Sequence, residues 1–177
     1  MSTTQYITTP SEGVNFNLTY TAYDQTAAIS STNSPDNPGP PFSKGTMMNG
    51  TGDSAYVFVY ASGAVALGDV VQLSPTFTAV AVTSTLATFG SPLGVAQVAI
   101  AAGAYGWVQR CGTCANIGTA AAAVVAVQLA TTATAGQIDD ATTTGTKNIS
   151  GMVLTTTAGS QTVVAGILNY PTVGTTN

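Results

Sequence analysis

Only one motif in this chain has a chemical name by its spacing: Cys111-Gly-Thr-Cys114. Thiolates bind soft metals and exchange disulfides, and C-x-x-C does either in the right setting. Zinc needs four ligands, and one C-x-x-C in a chain without histidine supplies two. Dithiol exchange of the thioredoxin kind needs the motif at a helix N-terminus in a βαβ unit. Here it follows an expected strand and precedes Gly-Thr-Ala sequence. The favoured reading is structural thiols or a small loop disulfide joining Cys111 and Cys114. A metal or disulfide shared between chains and redox chemistry are the alternatives.

The other candidates fare worse. Without histidine there is no Ser-His-Asp or Cys-His arrangement, and the commonest general base is missing. Asp139-Asp140 is a paired carboxylate, yet no glycine-spaced series of oxygen ligands surrounds it as calcium requires. Asp53 and Asp69 fall in separate turns, so each acidic group reads as a solvated turn. Gly50-Thr-Gly-Asp53 lacks the Gly-Lys-Ser/Thr ending of a phosphate loop. Tyr105, Trp107 and Tyr170 could form a stacking platform for sugar rings, though such residues more often cover a β core or an interface. The expectation is no enzyme, no metal and no cofactor.

Composition sets the class. The 177 residues are 45% hydrophobic but only 6% charged, against about 25% in an ordinary domain. Enough apolar residues are present for a core, and hydroxyls and amides must solvate the surface unless other copies bury it. The net charge is −4, and Lys44, Arg110 and Lys147 are the only cations. Three scattered cations cannot neutralise a phosphate backbone or an anionic membrane surface, so neither nucleic acid nor membrane is an expected partner. No signal-like segment opens the sequence, and its longest apolar runs fall short of a span of about 20 residues. These features point to a soluble protein made in a cytoplasm.

The elements that would position any site are strands. Residues 14–20 alternate apolar and polar side chains, a period-two pattern with Phe16, Leu18 and Tyr20 on one face. Residues 30–41 hold four prolines and no apolar side chain apart from them, so residues 1–44 read as an extended arm on a tether. The body is expected over 45–171, with 172–177 a loose tail. Within it, 56–60, 70–73, 77–83, 95–100, 107–110, 149–155 and 161–169 read as strands. Residues 111–118 read as a loop, and 123–129 as a strand. Ala101-Ala102-Gly103-Ala104 is the hairpin turn, with Gly103 supplying a positive φ.

The body also matches itself. At a shift of 56, Val71-Gln72-Leu73 meets Val127-Gln128-Leu129, Ala102-Gly103 meets Ala158-Gly159, and Trp107-Val108 meets Val163-Val164. Gly94-Val95 meets Gly151-Met152 at 57. A chain rich in Ala, Thr, Val and Gly can match itself by composition; the favoured alternative is duplication. The fold class expected is therefore all-β, an antiparallel sandwich or barrel built from two β modules packed face to face, with an extended N-terminal arm.

Gly94 to Gly112, GVAQVAIAAGAYGWVQRCG, resembles the capsid decoration (cement) proteins of tailed bacteriophages, with their Gly-Val strand, A-x-G turn and Y-G-W-V-Q strand. Leu67-Gly68-Asp69-Val70-Val71 resembles their opening turn, and the run ending Leu168-Asn169-Tyr170-Pro171 their closing strand. The proline-rich arm and the cysteine pair depart from the family pattern. The resemblance implies a non-enzymatic, often trimeric β protein on the capsid exterior that bridges major capsid protein subunits. The second expectation is a receptor- or glycan-binding module of a tail or head fibre. The candidate interface residues are Phe16, Leu18 and Tyr20 of the arm, with Tyr105, Trp107 and Tyr170 of the body.

Overall fold

The computed structural model describes residues 14–21, 40–120, 122–160 and 162–177. Much of the arm and proline-rich tether, residues 1–13 and 22–39, lies outside the described residues. Among the described residues every regular element is a strand: β1 Tyr20–Thr21, β2 Met47–Asn49, β3 Ala55–Ala61, β4 Val70–Leu73, β5 Thr78–Ala81, β6 Leu93–Ala96, β7 Ala104–Gly118, β8 Leu129–Thr131, β9 Ile138–Asp139, β10 Lys147–Leu154 and β11 Val163–Thr176. No helix here is long and apolar enough to cross a membrane.

Five strands close on themselves in the order β3-β5-β4-β6-β7, because β7 returns to pair with β3. The chain is thus an all-β barrel protein; the ladders between its described strands are antiparallel except for β3 with β5, where Tyr60 faces Thr78 in a parallel register. Alternation along β3 decides what lies on each side. Val57 and Val59 point into the barrel with Val71, Leu73, Ala96 and Val108. Tyr56 and Phe58 point outward, beside Trp107.

The expected duplication is written in the ladders. β4 pairs with β6, which pairs with β7; β8 pairs with β10, which pairs with β11. Shifting Gln72↔Leu93 by 56 and 57 gives Gln128 opposite Ser150, the next rung of the observed ladder Leu129↔Ile149. The second ring closes through a parallel bridge from Thr119 to Ile138, matching β3 with β5. Its interior holds Ile117, Leu129, Ile138, Leu154 and Val164. The modules do not pack face to face. They stand side by side and share β7, whose first half closes one ring while its second half pairs with β11.

The register also corrects one equivalence. Val95↔Gln109 corresponds to Met152↔Leu168, an offset of 59 on the outgoing strand, so Gly166 rather than Val163 stands where Trp107 does.

Four local expectations fail for identifiable reasons. Residues 14–20 are not one strand: the Asn15 side chain accepts the Asn17 amide at 2.9 Å and turns the chain, burying Phe16 while Leu18 is 47% exposed. Residues 111–118 are not a loop but the second half of the 15-residue β7. Residues 123–128 are not strand, since Ala122 and Ala126 take positive φ of 70° and 56° and leave Val124, Val125 and Val127 exposed. Residues 172–176 are not a loose tail. They continue β11, with Ile149 opposite Val173, and Val173 also exchanges backbone hydrogen bonds with Gly90 and Ser91. Gly103 has the expected positive φ, 78°.

Candidate interaction surface

The sequence-predicted interface residues do not form one surface. Phe16 stacks on Tyr56 with ring centroids 4.0 Å apart and meets Trp107 edge-on at 5.3 Å. Phe42 covers Trp107 from another side at 5.2 Å. Trp107 is fully buried, and its indole Nε1 has no hydrogen-bond partner among the described residues. Phe16 and Trp107 are therefore core, and the stacking platform of Tyr105, Trp107 and Tyr170 is not assembled. Tyr20 pairs with Tyr105 at the margin of this cluster, and both are half-buried. The arm's residues 14–21 thus dock on the chain's own barrel. Leu18 and Tyr170 alone are exposed.

Cys111 and Cys114 are free thiols. Three residues apart on one strand they face opposite sides, with Cα atoms separated by about 10 Å at the usual rise, beyond disulfide reach. Cys114 is buried, receives the Gln97 amide at 3.1 Å, and donates to the Asn116 carbonyl at 3.4 Å. Burial pushes its thiol up to about 12. Such a group is neither a nucleophile nor a ready ligand at ordinary pH.

The acidic groups serve local structure. Asp69 accepts the Ala66 amide at 2.7 Å, and burial raises its carboxyl above the usual range. Burial first, then a hydrogen bond with Asp140, raises Asp139 as well. Among the described residues no three His, Cys, Asp or Glu side chains cluster in a way that could hold a metal ion.

One surface does collect unusual features, and two β-bulges build it. Between Ala55↔Cys111 and Tyr56↔Gln109, Arg110 is the extra residue of β7. Between Ser150↔Thr172 and Met152↔Leu168, residues 169–171 of β11 face Gly151 alone. A side chain at Gly151 would meet the Asn169 carbonyl, so only glycine lets the bulge close this tightly. Bulges re-aim side chains. These two lie near the junction of the duplicated modules and bring the Arg110 guanidinium over the Tyr170 ring, 5.4 Å from its centroid. Arg110 Nε also donates to the Leu93 carbonyl at 3.1 Å, while burial lowers the guanidinium below its ordinary value.

Two clefts flank this pair. Tyr170 and the loop 49–55 line a polar one of about 600 Å³. Arg110, Phe77, Phe89, Pro75, Pro92 and Leu73 line an apolar one of about 410 Å³. Phe89 is 71% exposed, the most open of the large apolar side chains described. Among the described residues, three of the five non-glycine residues at positive φ border these clefts: Asp53 at 58°, Phe77 at 55° and Tyr170 at 46°. For a bulky aromatic that conformation is strained, and strain persists where the surroundings impose it.

No sequence pattern joins Phe77, Phe89 and Arg110 into one site. A signal for Phe89 was present: an aromatic set in Thr-Phe-Gly-Ser-Pro, amid turn residues, belongs at a loop tip. No family model matches this chain, and no curated protein matches it.

Proposed function

We propose that this chain is a structural virion protein that decorates the outer surface of a tailed-phage head and bridges major capsid protein subunits. It reinforces the shell and works as a closed homo-oligomer, a trimer. The observation that carries this reading is the surface on the two bulges, where a rigid double barrel presents Arg110, Tyr170 and Phe89 beside two clefts. Strained aromatics and an exposed phenylalanine on stiff strands suit contact with another protein. The low charge of the chain suits contacts made by hydrogen bonds and apolar packing. Because residues 14–21 lie on the chain's own barrel, the weight of the proposal moves from the arm to this face.

The glycan-binding alternative draws only on Tyr170, since Trp107 is buried under Phe16 and Phe42. Native mass and co-sedimentation with empty phage heads test the proposal. A trimer that pellets with heads supports it; a monomer that ignores them removes it.

A further inference from the structure

We infer that the cleft between Phe89 and Arg110 is the docking site for an extended segment of a partner protein, one that offers an apolar side chain to Phe77, Phe89 and Pro92 and a carboxylate to the guanidinium. The inference rests on the function proposed above only for the partner's identity, a shell subunit.

Charge complementarity carries it. No residue lining the cleft bears a carboxylate. Arg110 spends Nε on the Leu93 carbonyl and sets its guanidinium over the Tyr170 ring, and among the described residues it has no other partner. Its Nη–H groups are thus left for a ligand on a half-buried cation, and a guanidinium fork matches a carboxylate in two parallel hydrogen bonds. The walls supply the apolar half of the ligand, in a space of about 410 Å³.

The duplicated module provides an internal comparison. Its corresponding turn places Thr132 where Ser74 stands: Thr132 Oγ1 accepts the Thr134 amide at 3.1 Å, and Ser74 Oγ accepts the Thr76 amide at 3.2 Å. The second module's turn, 132–137 between Thr131 and Ile138, is one residue longer than 74–78 between Leu73 and Ala79, and its left-handed residue is Gly136 at φ 75°, the residue type that conformation favours. The first module has Phe77 at φ 55°, its ring packed on Gly45 and its surface lining the cleft. Where the longer turn of the second module sets a glycine in the left-handed conformation, the shorter turn that borders the cleft sets an aromatic there.

The test titrates the ¹⁵N-labelled full chain with N-acetyl-Leu-Asp-amide and its neutral analogue N-acetyl-Leu-Asn-amide, up to about 10 mM, the range in which so small a probe binds. The aspartyl probe should shift the amides of Phe89, Gly90 and Ser91 and the Arg110 Nε–H saturably. It should bind about tenfold more tightly than the neutral probe, as a charge-assisted pair implies. Arg110→Gln should erase that preference. Phe89→Ser, at an exposed site where folding is not at stake, should weaken both probes. Equal affinity for the two probes, no saturable shift at these amides, or a preference surviving in Arg110→Gln would each overturn the inference. Co-sedimentation separates the two claims. Heads that bind the native chain but not Phe89→Ser make the shell subunit the partner. A chain that binds the aspartyl probe but ignores heads keeps the site and removes the shell.

Discussion

Replacing Phe16 with alanine should release the arm while leaving both barrels folded. Phe16 is 1% exposed, stacked on Tyr56 and edge-on to Trp107. Truncating such a phenylalanine costs about 3–5 kcal/mol, with each aromatic pair adding about 0.5–1.5 kcal/mol to what the contact contributed. The other anchors of residues 14–21 are slighter: a two-residue ladder of Tyr20 and Thr21 on β7, and Tyr20 against Phe58 at 5.9 Å. A loss of about 3 kcal/mol lowers the docked-to-undocked ratio more than a hundredfold. Neither barrel interior includes Phe16, so the loss should stay local. Trp107, the single tryptophan, reports directly. Its emission should move to the red and acrylamide should quench it faster in Phe16→Ala, more so with Phe42→Ala added, while the barrels still melt in one transition at nearly the native midpoint. Unchanged emission and quenching in the double variant would refute the reasoning, and so would cooperative unfolding of the whole chain.

Three further outcomes follow from the same contacts. Ending the chain after Pro171 should lower stability by about 3 kcal/mol or more, because the buried Val173 and ladder bonds to both β10 and the 90–92 loop are lost together; urea denaturation measures it. At pH 8, thiol labelling of the native chain should modify Cys111 alone, with Cys114 reacting only after unfolding, a ratio that mass spectrometry reads. Alkali should destabilise the fold. The Cys114 thiol titrates at about 12 in the native chain against 9.0 ordinarily, so between those values the unfolded chain binds fewer protons and stability falls as pH rises. Cys114 contributes a slope of about 1.4 kcal/mol per pH unit over that window, and Tyr56, also raised to about 12 by burial, steepens it above 10. Melting midpoints from pH 8 to 11 should be flat at first and then decline, and Cys114→Ala should flatten the first part of the decline.

What was legible in the sequence was the part set by alternation and by repetition. The β-branched and aromatic run at β3 and the short β4 are where periodicity places them, and matching Val71-Gln72-Leu73 to Val127-Gln128-Leu129 anticipated the register of two ladders. What was not legible depends on which neighbour a segment finds. The 123–128 run has strand composition, but Ala122 and Ala123 are pinned to Gly159 and Ala158 and the chain must turn between them and β8. The end of β11 looks like a polar tail until β10 and the loop at Gly90 hold it from two sides. Trp107 reads as a candidate interface aromatic only while the position of Phe16 is unknown. Arg110 and Tyr170 are 60 residues apart, and no pattern reveals that two bulges bring them together.

The proposed role is decoration of a phage head by this double barrel, through the face built around Arg110 and Tyr170. The most direct measurement is cryo-electron microscopy of empty heads incubated with the purified chain. Density is expected on the outer surface at local three-fold positions, with the Arg110 and Phe89 cleft against the shell. Bare heads, or density in which that face points to solvent, would contradict it.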